Sequence, residues 1–275
     1  MPELPEVQTI INHLNKVVLN QPIVDITVNL EKILKNCTVA EFKQALTNAS
    51  FKRIERIGKF LIFHLDNDLT LVVHLRMEGK FFYQKESEFF NLAHTHIIFK
   101  FNNKMELRYN DTRQFGTFHL FRTDQYLNEK MLNKIALDPL DPKFDAKYLM
   151  HQFKNKTIAI KTALLDQTKV SGIGNIYADE ICFAAKVLPN TPTNKITKKQ
   201  YQLLADASTQ ILALAVEHKG TTIHTFKFDA TSSGTFQSLL KVHTRVKQEC
   251  FLCKNPIIKI KVNGRGTYYC SKCQK

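Results

Sequence analysis

The chain changes its hydrophobic period once, near residue 124, and that change limits the fold more than any other feature. From about residue 23 to 121 the apolar residues come in short β-rich runs: IVDITVNL, FKRIERI, FLIFHL, LTLVVHLRM, HTHIIFKF, KMELRY and GTFHLF. Breaks such as DND, EGK and FNNK separate them, which predicts an antiparallel sandwich or barrel rather than a βαβ sheet. After Asp124 helical patterns take over, in 125–135, 145–153, 158–167, 176–186 and 197–218, with the proline-bearing LDPLDPKF and LPNTPTN between them. Residues 219–248 have weak periodicity and read as a long loop. Ahead of the strands, Val7, Ile10, Ile11, Leu14 and Val17 have the spacing of one apolar helical face. The expected fold is a multidomain α+β protein: an N-terminal helix plus antiparallel β-sandwich (1–123), a linker (124–140), a helical domain (141–220), a loop (221–248) and a metal finger (249–275).

The finger rests on cysteine spacing. Cys250, Cys253, Cys270 and Cys273 form C-x2-C…C-x2-C, while Cys37 and Cys182 stand alone and read as small buried hydrophobes. In a chain with no export signal, paired CxxC units mean metal before disulfide. Four thiolates on two tight turns suit one tetrahedral structural zinc with no open position for chemistry, although spacing alone admits other thiophilic metals.

At 275 residues the chain is long enough for two domains, each with its own core. No apolar run approaches membrane-spanning length, and the N-terminus lacks a signal-peptide core, so no membrane partner and a cytoplasmic location are expected. The balance of 39 Lys+Arg against 25 Asp+Glu attracts polyanions, of which nucleic acid is the commonest. Lysine richness can also reflect genome base bias, so distribution matters more. Between Lys241 and Lys275 there are nine Lys+Arg and a single acid, Glu249.

The N-terminus reads MPELPEV. Removal of Met1 would leave Pro2 as a secondary α-amine, about a tenth of which is neutral at pH 7. The neutral amine is a nucleophile that can form an iminium, and carboxyl groups at Glu3 and Glu6 could move protons around the carbon it attacks. The plain alternative is a helix start, with proline in the first turn and acids favoured by the dipole. Three further stretches carry similar double readings. SGIGNIYADE lies between two helices, and its Gly-rich turn exposes N–H groups that can hold a phosphate or merely cap a helix. YNDTRQFG puts Arg113 and Phe115 on one face of the strand if extended. NGRGTYYC puts Arg265 at the tip of the finger, flanked by glycines that permit close backbone approach.

Taken in order, PELPEV, HLRMEGK, DTRQFG, GIGNIYADE and the four-cysteine finger with GRGT resemble the formamidopyrimidine-DNA glycosylase family over essentially the whole chain. Leu4 resembles the purine-repair branch rather than the endonuclease VIII branch. The resemblance implies a monomeric bacterial enzyme, nucleoid-associated, that binds damaged double-stranded DNA through a helix-two-turns-helix element and carries one zinc. It implies that Pro2 attacks C1′ of a flipped nucleotide, displacing 8-oxoguanine or a formamidopyrimidine, and that Glu3 is the acid that opens the sugar ring. The iminium then allows β- and δ-elimination, so the enzyme is also an abasic-site lyase. Glu6 would help hold the N-terminal geometry. Lys59 is implied as a member of the catalytic set, on a β-turn that contacts phosphate next to the lesion, and His94, Lys161, Asn175 and Arg265 match residues that contact or lie near the DNA around it. Met77, Arg113 and Phe115 match the side chains that fill the hole left by the extruded base, with Arg113 facing the orphaned cytosine; without the resemblance, Met77 and Phe115 would read as core. For Lys161 a helix-surface lysine is the competing reading. His94 and His96, spaced i,i+2, would face the same way on a strand. TSSGTFQ would cover the flipped base as a lesion-recognition loop.

Departures from the family pattern are local. His243 and Thr244 stand where the family has Tyr-Gly, Ala136 and Leu137 replace a glycine-proline element in the linker, and Ala230 and Thr231 stand in the recognition loop where relatives often have glycine. Two alternatives remain open at this point: an endonuclease VIII-like enzyme for oxidised pyrimidines, and a damage-binding protein without catalysis, which is the outcome if Met1 is retained.

Overall fold

The computed structural model describes residues 1–88, 93–154, 156–221 and 234–275. These fall into two compact units: Met1–Pro2 with Glu6–Asn133, and Glu3–Pro5 with Lys134–Thr221 and Thr235–Lys275.

The first unit is an antiparallel sandwich with a helix packed on it. α1 (Leu4–Val17) sends Val7, Ile10, Ile11 and Leu14 into the sandwich core, with Val18 buried beyond its end and Val17 only partly covered. One sheet has the order β1-β6-β7-β5, from β1 (Ile23–Val28), β6 (Thr95–Phe101), β7 (Met105–Asn110) and β5 (Lys80–Lys85). The other has the order β2-β3-β4-β8, from β2 (Phe51–Ile57), β3 (Phe60–Leu65), β4 (Leu69–His74) and β8 (Thr117–Arg122). Alternate residues of both sheets, Leu61, Phe63, Leu71, Val73, Phe99, Leu107 and Tyr109 among them, meet in one core.

Three local expectations are corrected. A helix, α2 (Val39–Leu46), interrupts the strands; Thr38 and Glu41 close a capping box at its start, and Phe42 and Leu46 are its buried anchors. β5, paired with β7, was not among the expected runs and begins at the lysine of the EGK break. Residues 125–135 hold only a short 3₁₀ turn at Tyr126–Asn128, because Tyr126 alone of that turn is buried and no apolar face accumulates.

The second unit holds α3 (Ala146–Phe153), α4 (Ile160–Leu165), α5 (Asn175–Ala184) and α6 (Lys198–Glu217). Asp145 caps α3, and Thr197 with Gln200 forms a capping box on α6. The finger is a hairpin of β9 (Ile258–Val262) and β10 (Arg265–Tyr269), joined by Asn263-Gly264 with both residues at positive φ, the chemistry of a two-residue type I′ turn. Among the described residues, no helix is long and apolar enough to cross a membrane. Residues 222–233 of the expected lesion-recognition loop, with Ala230 and Thr231, lie outside the described residues.

Candidate active site

Each unit holds its own constellation. In the first unit Pro2 is buried while Met1 is half exposed, at 49%. Glu6 is buried, as is Lys59. Lys59 follows Gly58, at φ 57, in the two-residue loop that closes β2 onto β3, so the glycine makes the tight turn that carries the lysine. Beside it, His74 has its pKa pushed down to about 3 by burial, then by Arg76 and Lys59. It is therefore a neutral ring that accepts from the Arg76 N–H at 2.9 Å and meets Phe60 edge-on. His119 is held down to about 4 by burial, Lys35 and Arg76. In both rings burial is the leading cause, and the neighbouring cations only add to it.

The DTRQFG stretch is wrapped around a carboxylate, not extended. Asp111, fully buried, accepts from the N–H groups of Arg113 (3.0 Å), Phe115 (2.9 Å) and Gly116 (2.8 Å), and from the Tyr109 hydroxyl at 3.2 Å. Gln114 takes φ 56, and a side chain at Gly116 would overlap the Tyr109 hydroxyl. Phe115 is thereby left 52% exposed, with the Arg113 guanidinium 4.9 Å from its ring centre. The core reading of Phe115 does not hold, because an apolar ring has been put outside on a rigid loop. Met77 is half buried on the turn after β4, and its neighbour Glu78 accepts from Thr112, tying that turn to the Arg113–Phe115 loop. His94 is exposed at φ 64 just before β6, whereas His96 is buried with its Nε2 2.8 Å from the Asp111 carbonyl. An irregularity between Thr95 and Ile97 breaks the expected alternation, so the two histidines do not share a face.

In the second unit the Gly-rich turn has its own anion. Glu3, 2% exposed, accepts from the N–H groups of Gly174 (2.7 Å), Ile176 (2.9 Å) and Tyr177 (3.3 Å) at the start of α5. The donors read as a phosphate cradle are those of a helix N-terminus, and a carboxylate of the same chain occupies them. A Cβ on Gly174 would lie 2.2 Å from the Glu3 carboxyl carbon, so only glycine leaves room. Leu4 donates its N–H to the Gly172 carbonyl at 3.0 Å and buries its side chain in this unit's core. The Gln167 amide fastens the turn itself: it accepts from the Gly172 N–H and donates to the Leu165 and Ile173 carbonyls, all within 2.9–3.0 Å.

Helix α5 also carries the finger. Asn175 donates to the Gly266 carbonyl at 3.1 Å. Lys161 is not on a helix surface; it is fully buried, and its ammonium meets Asp179 at 2.7 Å, the Thr267 hydroxyl at 2.8 Å and the Gly266 carbonyl at 3.0 Å. Two hydrogen bonds and one ion pair hold the buried charge. The other Asp179 oxygen meets Nδ1 of His243 at 2.8 Å. Glu180 accepts from the N–H groups of Lys241, Val242 and His243 at 2.8–2.9 Å, while burial raises its pKa against those bonds. Thr244 sits at φ 64, a region a glycine enters without strain, which is the physical consequence of the departure at 243–244. Arg265 is exposed beside the hairpin turn.

The sulfurs of Cys250, Cys253, Cys270 and Cys273 lie within 4.8 Å of one another, with closest approaches of 3.4 and 3.8 Å. Tetrahedral Zn–S bonds of about 2.3 Å put sulfurs about 3.8 Å apart, so this cluster fits one structural zinc ion. Asp111, Gln167, Gly174, Asp179 and Glu180 escaped the sequence reading; Asp179 and Glu180 pair with residues more than 60 positions away, and the short-range bonds of Asp111 and Gln167 depend on loop conformations that carry no periodic pattern.

Residues 1–118 match the model of the formamidopyrimidine-DNA glycosylase N-terminal domain, 135–227 that of the formamidopyrimidine-DNA glycosylase H2TH domain, and 247–275 that of the zinc finger found in FPG and IleRS. The chain is similar to proteins named formamidopyrimidine-DNA glycosylase from Ureaplasma parvum, at 57% identity over 100% of both chains, and Mycoplasma pneumoniae, at 50% over 100% of this chain and 99% of that one. It also resembles a Lactococcus lactis Fpg variant solved with Fapy-dG-containing DNA, with TM-score 0.94, 37% identity and 100% of both chains covered. A Lactococcus lactis Fpg complex with abasic-site DNA gives TM-score 0.92 at 36% identity over 99% of both chains.

Proposed function

The chain belongs to the formamidopyrimidine-DNA glycosylase family, and on that footing we propose that it is a base-excision enzyme that removes oxidised purines from duplex DNA and then cuts the strand. With Met1 removed, the Pro2 amine attacks C1′ of the damaged nucleotide; the C1′–N bond breaks and the base leaves with its electron pair. The proton lost from the Pro2 nitrogen passes to the Glu3 carboxylate, which delivers it to the sugar ring oxygen as the C1′–O bond breaks, and the freed nitrogen lone pair completes the iminium. The iminium acidifies the adjacent C2′–H, whose loss expels the 3′ phosphate; a second elimination expels the 5′ phosphate. Lys59, His94, Asn175 and Arg265 bind phosphates, which positions the duplex without reading its sequence. Phe115, Met77 and Arg113 occupy the space of the extruded base. Lys161 acts through Gly266, holding the finger strand next to Arg265, and does not itself touch DNA.

The observation that carries this reading is the clamp on Glu3. A carboxylate directly after the nucleophile, buried and held by three N–H groups over a glycine that cannot bear a side chain, is a positioned group and not an ordinary helix start. The test is borohydride trapping on duplexes containing 8-oxoguanine opposite cytosine, thymine glycol, or no lesion. A covalent adduct on the 8-oxoguanine duplex, absent in Pro2→Gly and when Met1 is retained, is expected. An adduct with thymine glycol alone would transfer the chain to the pyrimidine branch. Binding without any adduct, from processed and zinc-loaded protein, would refute catalysis.

A further inference from the structure

The zinc-bearing end of the finger carries a second surface that the proposed chemistry does not use. In a C-x2-C knuckle the two intervening residues point away from the metal. Here they are Phe251 and Leu252, 53% and 67% exposed, and Val246 nearby is 40% exposed. The Arg245 guanidinium lies 3.6 Å from the centre of the Phe251 ring, and the Lys241 ammonium 5.1 Å from it. Arg245 does not roam: its donors go to the Lys241 carbonyl (2.7 Å), the Glu249 carbonyl (3.0 Å) and the Gln248 side chain (3.0 Å). A fixed cation on one ring face, with Val246 and Leu252 each one residue from the stacked pair, is a built apolar platform. Lys247 and Lys254, both exposed, extend its positive rim.

This platform sits at the end of the hairpin opposite Arg265. The five residues of β9 separate the knuckle from the Asn263-Gly264 turn, about 16 Å at strand rise. Its chemistry also differs from a nucleic-acid contact. A base-stacking surface offers flat rings and cations free to reach phosphates. Here the arginine is spent on backbone carbonyls, and two of the three exposed apolar side chains are aliphatic.

We infer that the Val246–Phe251–Leu252 knuckle is a docking site for a protein segment that is acidic and carries a bulky apolar side chain. The apolar residue would rest on Phe251 and Leu252, while acidic neighbours meet Lys241, Lys247 and Lys254. At the knuckle itself Lys241, Lys247 and Lys254 outnumber the one acid, Glu249, which favours such a partner by charge.

The test is fluorescence anisotropy of the zinc-loaded full chain with a labelled aspartate-rich peptide bearing a central Ile-Phe pair. Two control peptides are used, one with Ser-Ser in place of the pair and one with lysines in place of the aspartates. Binding of the first peptide, weakened at least tenfold for both controls and for Phe251→Ser/Leu252→Ser, is expected. Trapping of a lesion duplex should be unchanged in that variant, because the knuckle lies outside the proposed reaction. Unchanged zinc content and melting temperature would exclude a folding effect. No binding, equal binding to the Ser-Ser peptide, binding unaffected by the double variant, or displacement of the peptide by undamaged duplex DNA would each overturn the proposal; the last would give the surface to nucleic acid.

Discussion

Gly174→Ala isolates the clamp on Glu3. The backbone at Gly174 has φ −129 and ψ −162, extended values that alanine adopts freely, so the substitution introduces no backbone strain. Its effect is purely steric, since the new methyl would lie 2.2–2.5 Å from the Glu3 carboxyl carbon, Cγ and Oε1. Glu3 must leave, losing three charge-assisted hydrogen bonds worth about 1.5–3 kcal/mol each, part of which water returns to a carboxylate near the chain end. A loss of about 3–4 kcal/mol in the stability of the second unit is expected. Single-turnover trapping on an 8-oxoguanine duplex should slow by about 100-fold or more, the scale for a displaced reacting group. A double-mutant cycle makes the reasoning refutable. In a Glu3→Ala background the methyl has nothing to displace, so Gly174→Ala should be neutral or stabilise by about 0.4–1 kcal/mol through the unfolded chain. Equal costs in the two backgrounds, measured by calorimetry, would refute the clamp. So would a Gly174→Ala protein that traps within about threefold of the parent rate.

Three other perturbations test separate parts of the structure. Gln167→Ala should slow trapping while leaving duplex affinity unchanged; Gln167→Glu should be worse, because a carboxylate would face the Leu165 and Ile173 carbonyls, and the reverse order would contradict the assigned hydrogen bonds. His74 has a folded pKa of about 3 against an ordinary 6.5, so protons bind the unfolded chain first as pH falls. Its contribution is intact above pH 6.5 and lost on the way down to about 3, amounting to about 2 kcal/mol between pH 7.5 and 5; denaturant titrations of His74→Gln at the two pH values should show the difference shrink by that amount. Chelation of the metal, or Cys270→Ser, should abolish duplex binding while the far-ultraviolet signature of the sandwich persists, and metal analysis of the intact protein should return one zinc per chain.

Local pattern and long-range pairing differ in how far the sequence reveals them. Seven of the sandwich strands announce themselves by β-rich runs, and the main helices by spacing and caps. β5 (KFFYQK) was missed because Phe81, Phe82 and Tyr83 are consecutive, which hides the alternation that Lys80–Lys85 adopts once paired with β7. The eight residues of α2 were too few to outweigh their β neighbours, although the T-x-x-E capping box at Thr38 and Glu41 was there to be read. The cysteine cluster was legible because ligand spacing is itself a local pattern. The partners of Glu3, Lys161 and Glu180 were not. Glu3 bonds to residues 171–174 positions away, and Lys161 to residues 105 and 106 positions away, separations that no periodicity encodes.

Those distant pairs converge on one ten-residue helix. The N-terminus of α5 holds Glu3, while Asn175, Asp179 and Glu180 along its length hold Gly266, Lys161, His243 and the backbone of 241–243. Buried acids at mid-helix are a poor source of stability. Desolvation opposes the charge on Glu180 even with three N–H donors in place, and replacing such groups by hydrocarbon is often neutral or better. What hydrocarbon would not supply is direction. Each carboxylate accepts only where its donors are placed, so the helix admits one position for the turn at 241–243 and one for the strand that begins at Arg265. The same logic accounts for the Gly-rich turn. Its donors would be an anion site on any helix start, and filling them with Glu3 converts a general phosphate cradle into a fixed seat for the residue that follows Pro2. Glu3 and the finger strand bearing Arg265 are therefore aligned by a single rigid element of the second unit, and a change that rotates α5 should disturb both together.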